Sequence, residues 1–130
     1  MGNDEKLFKE IVELVSVWQE KCPLASTNTF DSLKKSLVDE SIEARMAVDK
    51  EDWEELKEEL GDVLWDVLAF CVQAEKENKF TTKDVLETLK EKIKRRNPHV
   101  FGNAVAKTKE EVRELKQKIK QKEKQAKGLK

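Results

Sequence analysis

Apolar residues recur every three or four positions in five stretches of the chain, separated by short polar segments. In residues 4–20 they are Leu7, Phe8, Ile11, Val12, Leu14, Val15 and Trp18, a spacing that predicts a helix with a wide buried face. Trp18 is expected in the core, as an aromatic side chain of that size gains most from burial. Pro23 and the Ser26-Thr27-Asn28-Thr29 run interrupt the pattern and predict a capped turn, although hydroxyls and an amide also suit nucleotide contacts. Thr29 stands as the N-cap of a second helix that runs to about Val48, with Leu33, Leu37, Glu40, Ala44 and Ala47 on one stripe. A third helix is expected from Lys50 or Glu51 to about Glu77, about 40 Å long at 1.5 Å per residue. Its apolar stripe is Trp53, Leu56, Leu60, Val63, Leu64, Val67 and Cys71, the expected core face. Thr81 and Asp84 predict a capping box at the start of a fourth helix. That helix runs to about Arg96 and is expected to bury Val85, Leu86, Leu89 and Ile93. Thr108 and Glu111 predict another capping box, opening a Lys-rich helix with a narrow seam of Val112, Leu115 and Ile119. The expected fold is all-α, a bundle with a four-helix core in residues 1–106. The helix of residues 107–130 is docked on it or partly frayed.

The polar positions are less ordinary than the apolar ones. Glu40 falls in the middle of the second helix's apolar stripe, with Glu43 one turn on, where the two share a face. An isolated ionised carboxylate in a core is very costly unless it is paired or bound to a metal. The third helix carries a second acidic line, Glu55, Glu59, Asp62 and Asp66, with few basic partners on the same face. Gly61 interrupts that helix at a cost of about 1 kcal/mol against Ala, consistent with close approach of a neighbouring helix or a ligand. Glu51, Glu54 and Glu58 read as a solvated surface. If the two helices fold back antiparallel across the Asp49–Asp52 break, Glu40 and Glu43 meet Glu59 and Asp62. Four carboxylates that converge repel one another unless a cation lies among them. An all-oxygen set selects a hard divalent ion, Mg²⁺ or Mn²⁺. A di-iron bundle would require Glu-x-x-His pairs, and neither acidic pair contains a His.

Lys92, Lys94, Arg95 and Arg96 crowd the end of the fourth helix, more positive charge than complementing a helix dipole needs. Arg binds phosphate through two parallel bonds. A carboxylate-held cation together with a basic grip is the inventory for reaction at a phosphorylated small molecule. Composition agrees with long amphipathic helices: 41% charged and 38% hydrophobic residues, four Gly, two Pro and no Tyr. The formal net charge of −1, and a basic tail without interleaved aromatic residues, give no expectation of a nucleic-acid partner. No apolar run approaches the ~20 residues of a membrane span. The charged opening MGNDEKLF lacks the order of a signal peptide, so a cytoplasmic location with Cys22 and Cys71 as reduced thiols is expected. With one His, two Cys and no ligand spacing, no zinc site is expected, and His99 has no sequence neighbour for triad chemistry.

Asp39-Glu40-x-x-Glu43 followed by Glu59-Leu60-Gly61-Asp62 resembles the EExxE…ExxD arrangement of the MazG-type nucleoside triphosphate pyrophosphohydrolases. The resemblance extends through Cys22-Pro23, Thr29, Ser32-Leu33, Phe80, Asp84-Val85 and the segment KIKRRNPHVFG at 92–102. It reaches Thr108-x-Glu110-Glu111-Val112 and Ile119-Lys120 at the C-terminal end. It implies an all-α fold with a four-helix core, assembled as a dimer or dimer of dimers, that hydrolyses a nucleoside triphosphate to the monophosphate and pyrophosphate. By motif position, Glu40, Glu43, Glu59 and Asp62 would hold Mg²⁺, and Lys92, Arg95 and Arg96 would grip phosphates. Asp39 or one of the ligand carboxylates would take the proton of the attacking water. The chain departs from the family's usual residues at Leu24, Asn28, Phe30, Asp39, Asp66, Phe70 and Asn97, which leaves the preferred base open. A dUTP- or dCTP-type diphosphohydrolase using the same site, and a non-catalytic helical interaction module, remain the alternatives.

Overall fold

The structure is a computed structural model and describes residues 2–128. Its elements are α1 (Asp4–Lys21), a 3₁₀ turn (Ala25–Thr27), α2 (Phe30–Asp49), α3 (Trp53–Lys76), α4 (Thr82–Arg96), α5 (Pro98–Phe101) and α6 (Lys109–Ala126). Among the described residues there is no strand, and the all-α expectation holds. The backbone divides into two compact units, Met1–Thr82 and Lys83–Lys130.

In the first unit, local chemistry sets the helix limits. Thr29 caps α2 by accepting from the Ser32 N–H at 3.1 Å, and Ser32 Oγ returns the favour by accepting from the Thr29 N–H at 3.0 Å. The third helix begins at Trp53, later than its charge pattern suggested. Glu51 takes a left-handed backbone (φ 53), and Asp52 then caps the helix by accepting from the Glu55 N–H at 3.1 Å. Asn78, at φ 59, closes the other end of α3 as its left-handed residue. Ser36 of α2 meets Asp66 of α3, while Glu40, further along α2, meets Glu59, earlier in α3. That inverse order makes the pair antiparallel, as the short Lys50–Asp52 connection requires.

The core lies where α1, α2 and α3 meet. It is made of Val15, Leu33, Leu68 and Ala69, with Phe8, Val12, Trp18, Phe70 and Val72 packed around it. Trp18 meets Trp65 edge to face at 4.9 Å between ring centres, and Phe30 stacks on Phe70 at 6.2 Å. The α2 stripe is as expected: Leu33 and Ala47 are buried, with Leu37, Glu40 and Ala44 half-buried between them. The α3 stripe is not. Trp53 (60%) and Leu60 (55%) are exposed, as are Leu64 and Val67, and only Cys71 of that line is buried. The acidic line Glu55–Glu59–Asp62–Asp66 instead turns toward the interior, with Glu59 buried and the other three half-buried. One helix can lie over only one face of α3, and α2 lies over the carboxylates. The buried face of α1 is correspondingly narrower than expected, since Leu7, Ile11 and Leu14 face outward.

The second unit holds most of α4 together with α5 and α6. No residue of α4 or α6 is buried, which corrects the expected burial of Val85, Leu86, Leu89 and Ile93; Val85 is half-buried and the other three are exposed. Thr108 caps α6 by accepting from the Glu111 N–H at 3.1 Å. The return bond differs from the expected box, because the Glu111 carboxylate accepts from the Lys107 N–H at 2.8 Å, one residue before the cap. At Gly102 the chain doubles back over α5, and a Cβ there would sit 3.1 Å from the Pro98 carbonyl oxygen.

Candidate functional site

Glu40, Glu43 and Glu59 each turn a carboxylate oxygen into one cluster, all three atoms lying within 4.8 Å of one another. Helix α2 supplies the first two from adjacent turns, and α3 supplies the third from the opposite wall. Glu59 is 9% exposed, and burial, followed by hydrogen bonding to and repulsion from Glu43 and Glu40, pushes its carboxyl up to about 7. Glu40 is raised as well, by burial first and then by Glu43, Asp62 and Asp66, while its hydrogen bond with Glu59 works in the opposite direction. Three acids this close ionise together only at a cost, so below about pH 7 the metal-free protein keeps a proton on Glu59.

One oxygen of Glu40 (Oε2) and one of Glu59 (Oε2) are buried without any hydrogen-bond partner. Buried polar oxygens are nearly always satisfied. Two orphaned carboxylate oxygens in one acidic cluster fit a hard cation bound through oxygen ligands. The donor set therefore suits Mg²⁺ or Mn²⁺ and is wrong for a thiolate- or imidazole-seeking metal.

The remaining expected residues are placed differently. Asp62 is half-buried and close enough to raise Glu40 and Asp66, but its side chain, one methylene shorter than Glu, stays outside the three-carboxylate group. It borders an apolar groove of about 410 Å³ with Ile11, Leu14, Trp18, Gly61 and Trp65. Asp39 is exposed on α2 and does not join the cluster. Asp66 is held by Ser36, whose hydroxyl lies 2.9 and 3.0 Å from its two oxygens; burial nevertheless raises its carboxyl. Ser36 was not singled out from the sequence, although it lies four residues before Glu40 on the same helix face.

In the second unit, Lys92 is exposed, whereas both arginines are engaged. Arg95 Nε donates to Glu123 Oε2 at 2.6 Å, and Arg96 Nη2 donates to Glu123 Oε1 at 2.9 Å. Arg95 Nη1 also bonds Glu91. Hydrogen bonds from Arg96 and then Arg95 hold the Glu123 carboxyl down at about 2. Glu123 is the second residue the sequence reading passed over. It lies 27 and 28 positions from its partners, beyond any local spacing rule.

The chain matches a known family over the part that carries these residues. Residues 28–101, which include the carboxylate cluster and the basic segment, match the family described as the MazG nucleotide pyrophosphohydrolase domain. The chain is 40% identical over 100 residues to the nucleoside triphosphate pyrophosphohydrolase/pyrophosphatase MazG of Thermotoga maritima, covering 75% of this chain and 39% of that protein. It is 33% identical over 91 residues to the nucleoside triphosphate pyrophosphohydrolase of Escherichia coli K12, covering 70% and 35% respectively. The chain thus spans well under half the length of these curated relatives. The crystal structure of a mazG-related protein from Thermotoga maritima superposes with a TM-score of 0.76 at 26% identity, over 87% of this chain and 98% of that one. With the family matched across more than half of its length, the chain belongs to the MazG nucleotide pyrophosphohydrolase domain family.

Proposed function

We propose that this chain hydrolyses nucleoside triphosphates to the monophosphate and pyrophosphate in a Mg²⁺-dependent reaction. The observation that carries the reading is the pair of buried, unpartnered oxygens on Glu40 and Glu59, beside Glu43, in a chain of this family. Glu40, Glu43 and Glu59 hold the cation, with Asp62 joining them by a change of rotamer. When bound, Mg²⁺ would neutralise phosphate charge and lower the pKa of an attacking water. Lys92, Arg95 and Arg96 take phosphate oxygens. Asp66, fixed by Ser36, keeps α2 and α3 in register beside the cluster. Either Asp39 or one of the cluster carboxylates accepts the proton of the water.

The outward apolar side chains of the first unit, among them Leu7, Ile11, Leu14, Leu60 and Leu64, support assembly with a second copy. Light scattering on the purified chain reports the assembly size. For the reaction, pyrophosphate release is measured across a panel of standard and modified NTPs and dNTPs with Mg²⁺ and with Mn²⁺. Turnover of at least one substrate, lost on chelation, is expected; no turnover with either metal removes the reading. The rate ratios across the panel identify the preferred base and sugar.

A further inference from the structure

Two guanidinium groups on α4 close around a single carboxylate. Glu123 of α6 accepts from Arg95 Nε through Oε2 at 2.6 Å and from Arg96 Nη2 through Oε1 at 2.9 Å. Arg96 Nε lies a further 3.4 Å from Oε2. A pair of planar forks presenting several N–H groups to the oxygens of one anion is the arrangement by which arginines hold phosphate. Here the oxygens belong to the protein.

Apolar packing of α6 is partial: its seam of Val112, Leu115 and Ile119 is half-buried. Neither α4 nor α6 has a buried residue, so no shared core fixes one against the other. Glu123 is the one acidic side chain between Leu115 and Lys130, a segment otherwise rich in lysine. Without it, the end of α6 and the Lys92–Arg96 cluster would repel. The Glu123 side chain is only 18% exposed, more enclosed than either arginine it binds. A contact made of ion pairs, backed only by half-buried apolar residues such as Val112, Leu115 and Ile119, is readily exchanged for a better anion.

We propose that Arg95 and Arg96 form an anion site whose resident anion is the Glu123 carboxylate, so that α6 competes with an incoming phosphate group and restrains substrate binding until displaced. This rests on the reading of Arg95 and Arg96 as phosphate contacts. A site occupied internally shows an affinity reduced by the fraction of time it is filled, and removing the occupant restores it.

The test titrates inorganic pyrophosphate, without divalent metal, into the full chain by calorimetry. The neutral isostere Glu123→Gln is expected to bind pyrophosphate about five-fold tighter or more, the lower range of a typical coupling between two sites. Arg95 keeps Glu91 in this variant, so the gain falls mainly on Arg96, and adding Arg96→Ala is expected to abolish it. Unchanged or weaker binding by Glu123→Gln, with helix content preserved by circular dichroism, overturns the proposal and makes the contact a structural pin. Should that variant lose helix, Glu123→Ala, which removes the carboxylate and carries the strongest helix former, decides by the same criterion. Triphosphate turnover measured in parallel separates the two readings. A pyrophosphate gain with no turnover in the unmodified chain keeps the anion site and removes the enzymatic reading. Turnover without a gain removes the internal competitor alone.

Discussion

Ser36 Oγ of α2 donates to the Asp66 carboxylate of α3, lying 3.0 and 2.9 Å from its two oxygens. The bond ties the helices one turn from the point where Glu40 faces Glu59, and so helps set the spacing across the carboxylate cluster. It is also the influence that lowers the Asp66 carboxyl against the burial that raises it. Ser36→Ala removes the donor and leaves a half-buried carboxylate without it. The expected loss is roughly 1 kcal/mol, the usual net value of such a bond. The Asp66 carboxyl should titrate higher in the variant, as followed by NMR. Urea unfolding that shows no loss would mean that water replaces the hydroxyl at no cost.

Glu59 gives the metal-free protein an unusual dependence on pH. Its carboxyl is pushed up to about 7 from its usual 4.5, so between those values the folded chain holds a proton that the unfolded chain has released. This contribution to stability is therefore fully present below pH 4.5 and is lost as pH rises through 7. A bound cation reverses the sign, since it replaces the proton as the counter-charge and binds best once the proton has left. Melting temperature in EDTA should fall from pH 5.5 to 8.5, while the stabilisation by added Mg²⁺ or Mn²⁺ should grow over the same range. Parallel pH profiles with and without metal would falsify the assignment of this cluster as a cation site.

The same repulsion predicts a stability–activity exchange at Glu59. Glu59→Gln keeps the shape of the side chain and removes one of three crowded acids. The metal-free variant should melt higher than the unmodified chain at pH 8, where the native cluster is most strained. Pyrophosphate release should nonetheless fall by at least about 100-fold, the upper range for losing even an outer partner of a metal ligand. Functional sites commonly hold such unfavourable groups together, and relieving them stabilises the fold. A variant that is destabilised without metal would show that Glu59 serves packing rather than charge.

The α2 stripe was legible because its neighbours agree with it: Leu33, Glu40 and Ala47 share a face, and the costly position of Glu40 announced a purpose. Thr29 was legible as a cap for the same local reason. The orientation of α3 was legible only in part: Glu59 meets Glu40 and Glu43 as expected, whereas the apolar line expected in the core lies largely outward. Its apolar line and its acidic line are both regular, and solvating the charged one is the ordinary choice for a single helix. The antiparallel hairpin turns Glu59 toward Glu40 and Glu43 as its spacing implied, but that acidic face and the apolar line cannot both lie under α2. Leu60 and Leu64 then lie outward in the single chain, and periodicity cannot say what covers them. Glu123 was illegible for a related reason. A lone acid in a Lys-rich helix reads as a solvated i,i+4 partner, and only the return of α6 toward α4 shows that it binds two arginines.

Gly61 separates the roles of the outward face of α3. A Cβ built there meets nothing within 4 Å, so no packing within the chain requires glycine. Gly61→Ala should then stabilise the isolated chain by about 1 kcal/mol, the difference in helix propensity between the two residues. Gly61 also borders the groove shared with Asp62 and Trp65, where a second copy or a substrate would approach. If a neighbour comes close in the assembly, the methyl group that stabilises the monomer will obstruct it. The expected result is a higher melting temperature at low protein concentration, together with weaker self-association by light scattering or a raised KM. A lower melting temperature in the dilute monomer would sink the premise that this position is open within the chain. A higher one with association and KM unchanged would leave the glycine without a role in either contact.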